Sequence, residues 1–283
     1  MENKMVEIEN VSFRYGRKNY VFQDFSLEIG KGEIVGLLGE NAVGKSTLLY
    51  LISGLLRPLQ GKICVKGIDV CKRKVETLGD IFLVPEEFDL PNVSLKRYIN
   101  LNAPFYPKFS METMYFCLDS FGLTRDSHLK ELSMGQKKKV YMCFALATNA
   151  SLLLMDEPTN GLDIPSKSHF RQLISSMATE EKTIVISTHQ VRDLSDLLDH
   201  IVMMCRNEVL LNQSVEQITD RLLFEERTVT DAMTDVLYSQ PSALGRSTIR
   251  VNVEKEANKI NLEALFQAML SEKEKIQSLF IEK

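Results

Sequence analysis

The sequence predicts a mixed α/β fold in which a parallel sheet is joined by an antiparallel β subdomain, an inserted helical segment and a small C-terminal α+β extension. Three observations carry this. Strand-length apolar runs (Glu33 to Leu38, Asp80 to Val84, Leu152 to Met155, Thr183 to Ser187) alternate with helix-length segments, the pattern of buried parallel strands. The first run enters a glycine-containing turn followed by a helix candidate, Lys45 to Ser53, giving a strand, loop and helix unit. Between Pro91 and Leu132 the spacing is helical throughout.

Taken in order, Val6, Ile8 and Val11, then Val21, Phe25, Leu27 and Ile29, read as two antiparallel strands around a turn at Gly16 to Asn19. The parallel core follows. Its helical insertion, about 91–132, holds Leu95 to Leu101 and Glu112 to Phe121, separated by Pro104 and Pro107. After Asn212 the pattern changes. Ile249, Val251 and Val253 alternate with polar residues in one strand, Thr248 to Val253, and Asn261 caps a helical stripe of Leu262, Leu265, Phe266 and Met269. The expected division is a main domain, 1–212, and an extension, 213–283.

At 283 residues, with 44% hydrophobic and 25% charged residues, the chain is long enough for a large domain plus an appendage without disulfide staples. A net charge of -4 disfavours general binding to nucleic acid. Cys64, Cys71, Cys117, Cys143 and Cys205 are scattered without metal-ligand spacing, which points to a reducing, cytoplasmic compartment. Met1 to Glu9 lacks the features of a secretory signal, and no apolar run approaches the roughly 20 residues of a membrane span. Any membrane role is expected through a partner.

The chemistry concentrates in three places. Gly39-Glu40-Asn41-Ala42-Val43-Gly44-Lys45-Ser46-Thr47 fits the P-loop pattern, in which backbone N–H groups at a helix N-terminus close around phosphate. The predicted core is therefore that of a P-loop NTPase. Lys45 is placed to neutralise the β- and γ-phosphates of ATP, and Ser46 to put a hydroxyl on the bridging Mg2+. Leu152 to Met155 ends in Asp156 and Glu157, an acidic strand end found at many turns, which beside a P-loop suits delivery of Asp156 to Mg2+. Glu157 is then placed to orient and deprotonate an attacking water. Leu132-Ser133-Met134-Gly135-Gln136 opens a helix whose apolar face is Val140, Cys143, Phe144 and Ala147. Ser133 reads either as its N-cap or, with Gly135, as a receptor for another subunit's phosphate.

Together the P-loop, Leu132 to Gln136, Asp156-Glu157-Pro158 and His189, in this order, resemble an ABC (ATP-binding cassette) ATPase over about 4–212. The resemblance implies an ATP-hydrolysing transporter subunit whose nucleotide lies between one P-loop and the Ser133, Gly135 and Gln136 signature of the other subunit. A head-to-tail dimer with itself or a homologue, transmembrane permease partners and a peripheral place on the inner face of the cell membrane follow from it. It also implies that Tyr15 stacks on adenine, that His189 reaches the γ-phosphate, and that Asn160 to Asp163 is a loop between active sites; Asp163 before Pro165 reads equally as a helix cap.

Two positions depart from the family pattern. Met134 stands for a glycine, and Glu86 stands for a glutamine that touches Mg2+ and the attacking water, so its carboxylate is expected either toward the metal or held away from phosphate. Lys137, Lys138 and Lys139 read most simply as a solvated face, with contact to a partner or lipid headgroups as the alternative. Action on ribosomes or chromosomes would call for tandem cassettes or a long coiled coil, and a binding module without turnover is opposed by Asp156-Glu157. The tail weakly resembles extensions on bacterial ABC subunits, with regulation or dimer contact as its suggested roles.

Overall fold

Alternating apolar residues place β1 (Lys4–Phe13) against β2 (Phe22–Gly30), with Ile8 opposite Leu27 and Val11 opposite Phe25. In this computed structural model, residues 4–17, 19–191, 194–228, 231, 233–243 and 245–281 are described; within the turn expected between these strands, Lys18 lies outside them. On its other side β1 pairs antiparallel with β4 (Gln60–Val65), which pairs with β5 (Ile68–Asp69), and β2-β1-β4-β5 is the sheet order. Its apolar face meets Leu48, Leu49, Leu51 and Ile52 of α1 (Lys45–Ile52) in one core.

The second sheet contains the predicted parallel strands: β3 (Ile34–Gly39), β6 (Ile81–Val84), β7 (Leu152–Asp156) and β8 (Thr183–Thr188), together with β9 (His200–Cys205). Its order is β10-β9-β3-β8-β7-β6, with β10 (Glu208–Ser214) antiparallel to β9. Strands β3, β7 and β8 are buried at every position, as continuous apolar runs require when both faces are covered. Register then positions the site. Leu38 lies opposite Thr188, and Asp156 opposite Ser187, so three strands deliver their C-terminal residues to one sheet edge.

Helices α2 (Val75–Leu78), α3 (Leu95–Asn102), α4 (Met111–Ser120) and α5 (Met134–Ala147) lie near that sheet's β6 end, and Ser94, Ser110 and Ser133 cap the last three through their hydroxyls. Phe144 of α5 makes ring contacts with Phe82, Tyr98, Tyr106 and Phe109, tying the helical region to β6. Helix α6 (Ile164–Met177) is capped by Asp163, whose carboxylate accepts the Ser166 N–H at 2.8 Å.

Beyond α7 (Val215–Arg221), the extension forms a three-stranded antiparallel sheet, β11-β13-β12, from β11 (Leu222–Arg227), β12 (Val236–Ser242) and β13 (Gly245–Val251). Only one strand was legible, because β11 and β12 carry many half-buried residues and no clean alternation. The expected strand also ends early. Asn252 turns the chain by donating to the Thr219 and Glu256 carbonyls, and Val253 is exposed. Asn261 caps α8 (Leu262–Ser271) as expected, and α9 (Lys273–Ser278) follows. Ile249, Ile260, Leu262 and Leu265 share one core with Leu194, Leu197, Leu210 and Leu211. Among the described residues no helix is long and apolar enough to cross a membrane.

Candidate functional site

Between β3 and α1 the chain turns through Ala42 at φ 64 and Gly44 at φ 104. Gly44 has a second constraint, since a Cβ there would meet Phe22 and Val21 at 2.8 and 2.9 Å. The buried Lys45 ammonium donates to the Gly39 and Glu40 carbonyls at 2.8 and 3.0 Å, curling back over the turn. Burial lowers its pKa, and the opposing charges of Glu157, Asp156 and Glu86 act against that shift. The Tyr15 hydroxyl lies 3.2 Å from that of Thr47, and its ring packs edge-on against Phe13.

Across the cavity Asp156, almost fully buried, accepts a hydrogen bond from the Ser187 hydroxyl. Glu157 is 5% exposed and sits at φ 45, a left-handed conformation that is uncommon outside glycine. Its Oε1 accepts the His189 backbone N–H at 3.0 Å and pairs with Nδ1 of the same ring at 2.7 Å. Its Oε2 is buried without a partner. Glu86 accepts from the Asn160 amide at 3.1 Å, and Gln190 donates to the Asn160 side-chain oxygen at 3.1 Å, so three loops are joined by side chains.

These groups wall one cavity of about 450 Å³. It brings together Tyr15, Asn41, Ala42, Gly44, Lys45, Ser46, Thr47, Glu86, Asp156, Glu157 and His189. Gly39, Glu40 and Val43 belong to the turn but do not line it, and Val43 is packed in the core. Ser133, Gly135 and Gln136 lie apart. The Ser133 hydroxyl accepts the Gln136 N–H at 3.3 Å, and the Gln136 side chain accepts the Ser133 N–H at 2.9 Å, a reciprocal cap at the start of α5.

Sequence reasoning missed Val21 on the cavity wall, Ser187 behind Asp156, and Lys138. The solvated-face reading fails for Lys138, which is 7% exposed and donates to the Glu157 and Asn160 carbonyls at 2.7 and 3.0 Å. Lys139 is half-buried with its ammonium 5.9 Å from the centre of the Phe121 ring. Of the remaining histidines, His200 bonds Asn212 at 2.7 Å and His169 packs against Phe121, outside the cavity.

A glycine-containing turn at a helix N-terminus, with its lysine and two buried carboxylates at the C-terminal edge of a parallel sheet, defines a P-loop nucleoside-triphosphatase. A family model described as ABC transporter matches residues 22–160. The uncharacterised ABC transporter ATP-binding protein YdbJ of Bacillus subtilis is 30% identical over 268 residues, covering 90% of this chain and 85% of the relative. Another Bacillus subtilis relative, the ABC transporter ATP-binding protein NatA, is 34% identical, with 76% and 91% covered. Among solved structures, an ATP-binding subunit of an ABC transporter superposes with TM-score 0.68 at 25% identity, covering 76% of this chain and 91% of that one. The dimeric cassette MJ0796 in a post-hydrolysis state with ADP and Pi gives 0.66 at 26% identity, with 75% and 99% covered. The chain belongs to the ABC transporter ATP-binding proteins, and its activity is ATP binding and hydrolysis in transport.

Proposed function

We propose that the cavity holds Mg-ATP, with the Gly39 to Thr47 turn around its phosphates, Lys45 on the β- and γ-phosphates, Tyr15 against adenine and His189 at the γ-phosphate. Glu157 deprotonates the attacking water. The observation that carries this reading is the carboxylate of Glu157, a residue of the cavity wall, with one oxygen held by His189 and the other buried and unpartnered. A carboxylate oxygen in that condition has acceptor capacity for a water. The donor set also fits magnesium: the Ser46 hydroxyl and Asp156 are hard oxygen ligands on the same wall, and few protein ligands suffice because phosphates and waters complete the shell. Bound there, the ion supplies charge neutralisation across the β- and γ-phosphates. Glu86 lies on the same wall, with its carboxylate held by the Asn160 amide.

Ser133, Gly135 and Gln136 do not line the cavity of their own chain, which supports their serving a second subunit's ATP in a head-to-tail dimer with a copy or a homologue. A groove of about 500 Å³, lined in part by Leu55, Phe105 and Val75 (62%, 72% and 85% exposed) and by Pro85 next to Glu86, suits a permease at the membrane's inner face. Residues 213–283 act as an extension that covers the apolar edge of the 1–212 domain, with regulation or dimer contact as its function. The test is magnesium-dependent phosphate release by the full chain, with Lys45→Ala as the diagnostic variant. Loss of ATP binding and turnover is expected, because the phosphate charges lose their partner. Full ATPase activity in Lys45→Ala would refute the reading.

A further inference from the structure

We infer that Lys138 is a positioning residue for hydrolysis, its ammonium clamping the Glu157 to Asn160 turn so that the Glu157 carboxylate stays on the cavity wall. The inference rests on Glu157 being the base. Lys138 projects from the second turn of α5 and is buried, and two of its N–H groups go to two carbonyls of one short turn, Glu157 at 2.7 Å and Asn160 at 3.0 Å. The Asn160 N–H closes that turn onto the same Glu157 carbonyl at 3.2 Å.

The turn needs holding because Glu157 occupies a left-handed conformation, which a non-glycine residue keeps only where its surroundings over-determine it. Both sides of Glu157 are pinned: its N–H donates to the Ser187 carbonyl at 3.1 Å and its C=O accepts from Lys138. Without the ammonium, the Asn160 carbonyl loses its lysine bond and the Glu157 carbonyl keeps only the Asn160 N–H at 3.2 Å, so Glu157 is less constrained against relaxing toward ordinary backbone angles and shifting its carboxylate. A misplaced base slows proton transfer long before it affects phosphate binding, which depends on the Gly39 to Thr47 turn.

The buried charge of the clamp is tolerated here because acidic groups surround it. Burial disfavours the ammonium, and the carboxylates of Glu86, Glu157 and Asp156 oppose that effect. The same acidic groups that line the cavity thereby hold the cation behind them. Because Lys138 lies on the helix that begins at Ser133, displacement of the start of α5 is transmitted to the chain's own base through two hydrogen bonds.

The test compares Lys138→Met, Lys138→Arg and Lys138→Gln, with Lys137→Met as a neighbouring control, in the full-length protein. Turnover per ATP-binding site, ATP affinity and thermal midpoint are measured for each. Expected for Lys138→Met is a fall of about tenfold or more in kcat with affinity within about threefold of wild type, and for Lys138→Arg recovery of most of the rate. A filler role would lower the thermal midpoint and the number of active sites but leave turnover per site unchanged, and that result overturns the proposal. Should Lys138→Met fail to fold, Lys138→Gln decides: its shorter amide cannot span both carbonyls, so a clear drop in kcat at unchanged affinity supports the clamp and wild-type kcat overturns it. Glu157→Gln is run alongside. A wild-type rate in that variant rejects the base itself, whereas an inactive Glu157→Gln with fully active Lys138 variants rejects only the clamp.

Discussion

Replacing Glu157 by glutamine keeps the shape of the side chain and removes its charge. The amide oxygen can still accept the His189 backbone N–H, now at 3.0 Å, so the pose is retained. What changes is the other terminus. In place of the buried, unpartnered Oε2 stands an NH2 group, which donates and cannot take a proton from water. Loss of a positioned general base costs about 10²–10⁴ in rate, or about 3–5 kcal/mol on the barrier at 1.36 kcal/mol per decade. Phosphate binding should not weaken, since one negative charge facing the phosphates is gone and Lys45 remains. Single-turnover hydrolysis with radiolabelled ATP reads the first effect, and a sizing column run in ATP reads the second as a persistent dimer. A variant that binds ATP and hydrolyses it at the wild-type rate would show that Glu157 is not the base.

Glu86→Gln is expected to hydrolyse ATP at least as fast as wild type and to reach half-maximal rate at lower magnesium, because the amide oxygen can keep the Asn160 bond while one repelling charge is lost. A requirement for much more magnesium would instead make the carboxylate a metal ligand, and an unchanged titration would remove Glu86 from the site. Asp80 gives a pH prediction: burial pushes its carboxyl up, but bonds from Lys66, Ser151 and Lys108 outweigh this and pull it from 3.8 to about 2. A folded value below the unfolded one means the stabilisation is present above the unfolded pKa and lost as pH falls through the folded one. Asp80→Asn should therefore melt below wild type at neutral pH, with the gap closing between about pH 4 and 2; a gap that ignores pH contradicts this. A chain ending at Asn212 should retain ATP binding, since every residue of the cavity precedes that point, but melt earlier through exposure of Leu210 and Leu211. Folded protein of that length without ATP binding would refute the independence of the cavity.

What was legible in the sequence is what short-range chemistry decides. The run from Ile34 through Thr47 contains its own strand, turn and helix, and β7 announces itself because continuous apolar residues stop at Asp156 and Glu157. Even the caps at Ser133, Asp163 and Asn261 follow from residues three positions apart. Lys138 was illegible for the opposite reason. Three consecutive lysines on a helix give no local sign of which one faces inward, and the groups that receive the middle one are carbonyls 19 and 22 positions along the chain. Side-chain identity at 157 and 160 does not encode those acceptors, because every residue has a carbonyl. Ser187 was hidden likewise, since its hydroxyl reaches Asp156 only through the β7–β8 register. Motifs thus name the groups proposed to touch nucleotide, while the groups packed behind them are set by tertiary packing. That division explains why a lysine run can look like surface and still hold the turn on which the proposed base depends.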